Sequence, residues 1–367
     1  MNTTHRHIYL HMCNKNNYYC VIMAGGLGTR FWPISRKSMP KQFLNLPSTG
    51  KSMLRLTYDR MARLIPRENI LVSTLVDYHD IVKKELPEIS EENILQEVYN
   101  RNTAPCLYFA ANVIAKRNPD AVMVACPADH LIEDNDDFEQ AIGKALEYAA
   151  EHDELITLGI MPTRPDDNFG YIQVSGGSAA IEAGEPTKVK TFTEKPSTEI
   201  AEAFIKSGEF LWNSGIFIWK SALILSEIKK YAPQIAELWE EATDLNKFYG
   251  DCTRVSIDYG VMEKTDKATV IPAKFKWADI GNWESLYDYL PKDASGNATN
   301  ISGKHLFKED ANNVIYLNNP SKLIAIRGLE DYVVVDTPDV LMICPRDDSK
   351  IQGFLSELAM PEFEEYR

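Results

Sequence analysis

The stretch from Tyr18 to Phe43 reads YYCVIMAGGLGTRFWPISRKSMPKQF and determines the expected fold. Its first seven residues form a short apolar run, which is typical of a buried β-strand. Three glycines follow within the next four positions. Glycine allows a loop to bring its backbone N–H groups close to a bound anion. The stretch therefore predicts a strand that leads into an anion-binding loop.

The glycine loop matches neither of two well-known phosphate-binding signatures. No Gly-Lys-Ser/Thr ends it, so it is not a Walker loop, and Phe31 stands where a dinucleotide fingerprint has its third glycine. An ordinary tight turn is the alternative interpretation. Four cations follow within twelve positions without an acid and favour phosphate binding: Arg30, Arg36, Lys37 and Lys41.

Charge is unevenly distributed along the 367 residues. The net charge is −14, yet residues 1–58 contain eight cations and no Asp or Glu, which leaves −22 for the remainder. A global negative charge repels phosphate and argues against a protein that binds nucleic acid or an anionic membrane surface. We therefore expect neither partner, although a local anion site in the N-terminal part is compatible with this charge.

The sequence also indicates the compartment. No apolar stretch approaches the roughly 20 residues that span a bilayer, and the N-terminus lacks the apolar core of a signal peptide. The six cysteines are scattered without the paired spacing of a zinc site. We expect a cytoplasmic protein with reduced cysteines and a disordered tail at residues 1–17, in which Met12 is an alternative start.

Alternating strand and helix patterns predict an α/β fold. Strand-like runs at 18–24, 69–75 and 121–126 alternate with amphipathic helical patterns at 102–118 and 136–152. This order predicts a Rossmann-like mixed sheet that is mostly parallel, with helices on both faces. Ligands of such sheets bind at the carboxyl ends of the strands.

The second half of the chain has a different composition and a different pattern of predicted elements. A long helix is expected around 221–242, and a Gly/Asn/Ser-rich stretch at 293–303 is typical of a linker. Short β runs between 305 and 344, closed by a helical end at 352–358, then predict a small β-rich domain. A β-helix is one arrangement that such a domain can adopt.

Seven sequence blocks resemble one family. The loop GGLGTRFWPISRKSMPKQF resembles the signature of sugar nucleotidyltransferases, and its Phe-Trp-Pro-x-Ser-Arg form resembles that of the mannose-1-phosphate guanylyltransferases. Six further blocks match in the family's order: NRNTAP (100–105), CPADH (126–130), TEKP (193–196), WNSGIF (212–217), SIDYGVMEK (256–264) and WADIGNW (277–283). The resemblance implies a nucleotidyltransferase domain at 18–290 and leaves 291–367 as the β-rich domain.

The resemblance implies transfer of GMP from GTP to α-D-mannose 1-phosphate, which gives GDP-mannose and pyrophosphate. Because this reaction brings two phosphate-bearing anions together, it needs fixed amides, cations and a divalent metal ion. The family's pattern implies that Arg30 holds the departing phosphates and that Lys41 stabilises charge at the α-phosphate. The implied nucleotide-binding residues of the loop are Gly25, Gly26, Gly28 and Thr29.

Two aspartates in matching blocks are the implied ligands of Mg²⁺ or another divalent cation. Asp129 lies in CPADH and Asp279 in WADIGNW, and carboxylate oxygens are suitable ligands for such ions. Asp129 is also implied as a catalytic residue. We expect His130 to be structural, since the attacking phosphate is already an anion and needs no general base.

The other substrate contacts also follow from the resemblance. Sugar-phosphate binding is implied for Gly170, Glu194, Lys195 and Asn213. The purine is implied to lie beside Arg101, Asn102 and Thr103. For Asp258 and Glu263 we expect a structural role without a substrate contact.

The chain departs from the family's pattern at Val98, Asn100 and Asn168-Phe169. One alternative is therefore the same chemistry on another sugar 1-phosphate or nucleotide. Another is a non-catalytic paralogue that binds sugar nucleotides as a regulator, although the catalytic cations and carboxylates are all present. A homo-oligomer is compatible with each of these interpretations.

Overall fold

The computed structural model describes residues 15–26, 28–46, 49–133 and 135–367, apart from the side chains of residues 348 and 349. Most of the predicted tail, including Met12, lies outside these residues, and Lys15–Asn17 form a 3₁₀ turn. The chain divides into two compact units that interleave along the sequence. Of the described residues, the first unit takes those within 15–25, 57–128 and 132–277, and the second takes those within 26–56, 129–131 and 278–367. The domain boundary at residue 290 stays a prediction.

The strands of the described residues follow one another along the chain as β1 (Tyr18–Met23), β2 (Ile70–Leu75), β3 (Ile94–Glu97), β4 (Val122–Pro127), β5 (His130–Ile132), β6 (Leu155–Ile160), β7 (Gly170–Val174), β8 (Thr187–Glu194), β9 (Phe210–Lys220), β10 (Ala268–Ala273), β11 (Trp277–Asp279), β12 (Ala298–Thr299), β13 (His305–Lys308), β14 (Val314–Leu317), β15 (Ile324–Arg327), β16 (Tyr332–Asp336) and β17 (Leu341–Pro345). The α-helices are α1 (Met53–Met61), α2 (His79–Glu85), α3 (Thr103–Arg117), α4 (Asn135–Glu151), α5 (Gly177–Ala183), α6 (Thr198–Ser207), α7 (Ser221–Tyr231), α8 (Pro233–Glu241), α9 (Leu245–Asp251), α10 (Trp283–Tyr289) and α11 (Asp348–Glu357). None of these helices has the length and apolar character needed to cross a lipid bilayer.

The first unit is built on a nine-stranded sheet with the order β3-β2-β1-β4-β9-β6-β10-β8-β7. Parallel pairs join β1 to β2 and β4, β2 to β3, and β6 to β10. The long strand β9 lies antiparallel between β4 and β6, and β8 is antiparallel to both β10 and β7. All strands except β8 and β9 therefore run in one direction. The predicted α/β class with a mixed, mostly parallel sheet is confirmed.

The core of the first unit explains why its strands are apolar runs. Five of the six residues of β1 and all six of β6 are buried, which is the pattern of strands covered on both faces. The helix α3 packs against β1, and α4 packs against β4, β6, β9 and β10. Both helices match the predicted amphipathic patterns to within one residue at each end.

The second unit contains coils of parallel strands. Ala298, Val314 and Val333 lie side by side because β12 pairs with β14 and β14 with β16, while β13 pairs with β15. Buried asparagines connect the coils: Asn313 donates its backbone N–H and its side-chain amide to Asn297 Oδ1, each at 3.0 Å. This is a β-helix arrangement, and its apolar core also takes in Phe31 of the glycine-loop region.

Two local expectations are wrong. The helix around 221–242 is two helices, α7 and α8, because Pro233 lacks an N–H and cannot continue a helix; it begins α8 instead. The stretch at 293–303 is not a linker, because Asn297 is buried and β12 forms within it. Its Gly, Asn and Ser residues belong to the turns of one coil of the β-helix.

Candidate functional site

The glycine loop is fitted closely to the turn that carries Lys41. Gly28 has φ of +59°, and a Cβ at this position would lie 2.5 Å from Lys41 Cβ and 2.8 Å from Lys41 N. The turn Lys41–Phe43 is further joined to the loop by Gln42, whose Nε2 donates to Gly26 O at 2.9 Å. Only glycine fits position 28, so the loop and the lysine form one local structure.

Lys41 is buried among three oxygen atoms. Its side-chain Nζ lies 2.6 Å from Asp129 Oδ2 and 3.6 Å from Asp279 Oδ1, and it donates a hydrogen bond of 2.6 Å to Ile280 O. The residue is only 5% exposed. Three residues that the sequence predicts for catalysis and metal binding are thus brought together.

The charges of this cluster stabilise each other. Burial disfavours a charged Lys41, but the carboxylates of Asp129 and Asp279 outweigh it and raise the pKa of the lysine. Burial likewise disfavours a charged Asp129, but Lys41 and His130 outweigh it and lower the pKa of that carboxyl. Lys41 and Asp129 are therefore an ion pair at neutral pH.

The residues beside this lysine form a cluster of the kind that could hold a metal ion. Strands β5 and β11 pair with each other, and one ligand atom each from Asp129, His130 and Asp279 lies within 4.8 Å of the others. Two carboxylates supply the oxygen ligands that hard divalent cations prefer. His130, which we expected to be structural, lies in this cluster.

The remaining cations of the loop separate into two groups. Arg30 is an exposed residue of the turn Thr29–Phe31 and lies near Gly281, where an added Cβ would be 3.9 Å from Arg30 Nη1. Arg36 and Lys37 instead pair with acids of the C-terminal part, Asp339 at 3.0 Å and Glu364 at 2.5 Å. Arg30 is thus next to the segment that follows Asp279, whereas the other two anchor the loop region within the second unit.

The predicted sugar-phosphate residues converge in the first unit. Gly170 pairs with Glu194 across β7 and β8, and a Cβ at Gly170 would overlap Glu194 Oε2. Lys195 has φ of +49° and its Nζ forms an ion pair with Glu194. Although burial disfavours its charge, the carboxylate of Glu194 raises the pKa of Lys195.

Asn213 links this group to Asp258, for which we expected a structural role without a substrate contact. Its Oδ1 accepts hydrogen bonds from Thr157 Oγ1 and Gly215 N, both at 3.1 Å, and its Nδ2 donates to Asp258 Oδ1 at 2.9 Å. Most of the hydrogen-bonding capacity of the Asn213 amide is therefore used inside the protein. Its contact with a sugar hydroxyl stays a prediction.

The block SIDYGVMEK supplies residues that sequence reasoning left out of the site. Asp258–Met262 form a π-helical turn, an element that is frequent at functional sites. Glu263 Oε1 accepts a hydrogen bond from Glu194 N at 3.1 Å, and Tyr259 OH donates to Glu194 O at 3.5 Å. The block itself was the available signal, but no periodicity identifies a π-helical turn.

The three residues implied for the purine have internal partners. The guanidinium of Arg101 donates to Tyr249 O at 2.7 Å and to Gly250 O at 2.9 Å. Asn102 caps α3 by accepting from Thr103 N at 2.8 Å. Thr103 Oγ1 accepts from Ile257 N at 2.8 Å. Their contact with the base stays a prediction.

Another buried carboxyl lies beside the start of the loop. Ser73 Oγ donates to Glu97 Oε1 at 3.0 Å, and a Cβ at Gly25 would lie 3.4 Å from that oxygen. Burial raises the pKa of Glu97 to about 7, against the opposing hydrogen bonds of Ser73, Cys106 and Tyr249. No sequence pattern indicates the protonation state of this carboxyl.

Comparisons with known proteins identify the family to which this chain belongs. The nucleotidyl transferase family model matches residues 19–296, and the mannose-phosphate isomerase/GMP-like beta-helix domain model matches residues 303–352. A mannose-1-phosphate guanylyltransferase of Klebsiella pneumoniae is 36% identical over 364 residues, which cover 95% of this chain and 76% of that protein. The chain belongs to the mannose-1-phosphate guanylyltransferase family.

Other comparisons agree with membership in the mannose-1-phosphate guanylyltransferase family. The alginate biosynthesis protein AlgA of Pseudomonas aeruginosa is 37% identical over 346 residues, covering 89% of this chain and 69% of that protein. A solved structure described as mannose-1-phosphate geranyltransferase from Thermus thermophilus superposes with a TM-score of 0.84. It is 29% identical and covers 94% of this chain and 100% of that chain. The predicted family, fold and nucleotidyltransferase class are confirmed.

Proposed function

We propose that this chain transfers GMP from GTP to α-D-mannose 1-phosphate and releases pyrophosphate. The observation that carries the proposal is the cluster of Lys41, Asp129 and Asp279, in a chain whose relatives are named mannose-1-phosphate guanylyltransferases. A regulatory paralogue would not need a buried lysine beside two metal-binding carboxylates. We also propose that the enzyme is cytoplasmic, a compartment in which buried thiols such as those of Cys20 and Cys106 stay reduced.

The chemistry is a direct displacement. A phosphate oxygen of mannose 1-phosphate attacks the α-phosphorus of GTP, the bond from that phosphorus to the β-phosphate oxygen breaks, and pyrophosphate leaves with the electron pair. The nucleophile is already an anion, so the protein does not have to remove a proton. Its contribution is positioning and stabilisation of the charge that develops in the transition state.

The second unit provides the groups for this stabilisation. Lys41 offers a fixed positive charge to the α-phosphate, and Arg30 offers another to the departing phosphates. The backbone N–H groups of the glycine loop are the proposed contacts of the triphosphate. Asp129 and Asp279 would hold Mg²⁺ or another divalent cation, which supplies further charge neutralisation when it is bound.

The first unit provides the groups for the sugar phosphate. We assign the phosphate to Lys195 and sugar hydroxyls to Glu194, whose Oε2 is buried and has no hydrogen-bond partner among the described residues. Gly170 leaves room for that carboxylate. Arg101, Asn102 and Thr103 remain the proposed neighbours of the purine, although their side chains have internal partners.

A panel of substrates tests this proposal. The purified chain is assayed for pyrophosphate release with GTP, ATP, UTP and dTTP, each combined with mannose 1-phosphate and with glucose 1-phosphate, in the presence of Mg²⁺. We expect GTP with mannose 1-phosphate to be the preferred pair. Equal rates with UTP or dTTP would reject the guanine assignment, and no release with any pair would favour the regulatory paralogue.

A further inference from the structure

The sugar-phosphate cluster contains more carboxyls than its single lysine can neutralise. Lys195 Nζ pairs with Glu194, and Asp258 lies beside them through its hydrogen bond with Asn213 Nδ2 at 2.9 Å. Gly170 lies between Glu194 and Asn213. A Cβ added at this glycine would overlap Glu194 Oε2 and would lie 3.2 Å from Asn213 Cβ. With both carboxyls ionised, the three charged side chains carry a net charge of −1.

The surroundings of Asp258 favour its protonated form. The groups that face it are Glu194 and Lys195 at the end of β8 and the neutral amide of Asn213 on β9. Its own π-helical turn carries Tyr259 and is followed by Glu263, and both side chains bind the backbone of Glu194. Burial and the charge of Glu194 raise the pKa of Asp258 to about 7, against the opposing effect of Lys195.

A phosphate dianion would change this balance further. When it engages Lys195, the ammonium group no longer neutralises Glu194 alone, and two negative charges are added beside the carboxyls. Like charges at short distance in a partly buried site favour proton uptake by one of the acids. Asp258 is the acid to receive it, because Glu194 keeps the closer contact with Lys195.

We propose that Asp258 takes up a proton from solvent when mannose 1-phosphate binds, and is thus a positioning residue that keeps the sugar-phosphate site electrically compatible with a dianion. This inference rests on the proposed function and refines its sugar-phosphate site. It gives Asp258 a role that the sequence did not suggest. The proton is bound by a carboxylate oxygen of Asp258 and returns to solvent when the site empties.

The test is Asp258→Asn, which imitates the protonated acid and can still accept the hydrogen bond from Asn213. The KM for mannose 1-phosphate is measured from pH 7 to 9 at saturating GTP and Mg²⁺, a range in which the ligand is a dianion because its second pKa is about 6. In the wild type we expect KM to rise by up to about tenfold for each pH unit. In the variant we expect a KM that stays flat over this range, with the pH profile of kcat unchanged.

The matched control is Asp266→Asn, which removes an exposed carboxylate of the same unit. It should keep the pH slope of the wild type. A second measurement needs no variant: calorimetric titration of the wild type with mannose 1-phosphate at pH 8, in buffers of different ionisation enthalpy, should show uptake of close to one proton. If Asp258→Asn does not fold, Asp258→Ser replaces it.

Several results would overturn the inference. These are a pH-independent KM in the wild type, equal slopes in the wild type and Asp258→Asn, or proton release on binding. A merely structural role would lower the melting temperature and kcat without altering the pH slope of KM. An inactive wild type would instead reject the proposed function, whereas an active wild type without proton uptake would reject this inference alone.

Discussion

Two clusters of this molecule contain the same charged groups, one lysine and two carboxyls, but the pKa of one carboxyl shifts in opposite directions in the two. They are Lys41 with Asp129 and Asp279 in the second unit, and Lys195 with Glu194 and Asp258 in the first. In the second unit the pKa of Asp129 is lowered. In the first unit the pKa of Asp258 is raised to about 7.

The difference comes from how the lysine is placed. Lys41 is buried between Asp129 and Asp279 and contacts both, and its charge lowers the pKa of Asp129 against the effect of burial. The side chain of Lys195 is 55% exposed and pairs with Glu194, while Asp258 receives its hydrogen bond from a neutral amide. Residue composition alone therefore does not determine whether the pKa of a carboxyl in such a cluster is lowered or raised.

The largest expected effect concerns the buried lysine. Lys41→Ala or Asp129→Ala should lower kcat by about 100-fold or more, because removal of transition-state charge stabilisation costs roughly 3 kcal/mol. Pyrophosphate release at saturating substrates measures this loss, and thermal unfolding checks that the variants fold. Lys304→Ala, which removes an exposed lysine of the same unit, is the control. Near-normal turnover in either site variant would contradict the catalytic role that we propose for this cluster and not for the cluster in the first unit.

The sequence predicted this cluster only through a resemblance. Local patterns predicted β1, β2, β4, α3 and α4, since apolar runs and amphipathic periodicity are properties of neighbouring residues. Lys41, Asp129 and Asp279 are far apart along the chain, and no local pattern brings them together. The sequence blocks that carry these three residues predicted the cluster, because the blocks occur in the same order as in the family.

The state of Asp258 shows what neither patterns nor blocks could predict. Its pKa depends on burial and on Glu194, a residue distant in sequence at the end of β8, and its π-helical turn has no sequence period. The break at Pro233 was readable from the chain but was outweighed by the apolar periodicity on either side. The coil at 293–303 could not be distinguished from a linker, because buried asparagines resemble exposed ones in sequence.

Glu97 extends the comparison to a buried carboxyl for which the structure shows no lysine contact among the described residues. Its pKa of about 7 lies above the ordinary value of 4.5, so the fold favours the protonated acid. The stability it contributes is fully present below about pH 4.5 and is lost as pH rises through 7, by about 3 kcal/mol in total. Glu97→Gln should remove this pH dependence.

The measurement is the free energy of urea unfolding at pH 5 and pH 8 for wild type and Glu97→Gln. We expect the variant to gain stability relative to the wild type between these two values. Glu92→Gln, at an exposed position before the same strand, should follow the wild type. Parallel behaviour of Glu97→Gln and the wild type would mean that Glu97 is ionised in the fold despite its burial.

The smallest expected effect concerns Gly28, where a pair of variants distinguishes backbone strain from the close packing against Lys41. Gly28→Ala should lower stability by about 1–3 kcal/mol, because the new Cβ would lie 2.5 Å from Lys41 Cβ and the backbone is left-handed. Gly208→Ala is the matched control, since Gly208 has φ of +68° and open space around its Cβ position. Thermal unfolding and kcat are measured for both variants. If displacement of Lys41 matters, only Gly28→Ala also loses turnover; equal losses in the two variants would show that the close fit of loop and lysine is not required for the cluster in the second unit.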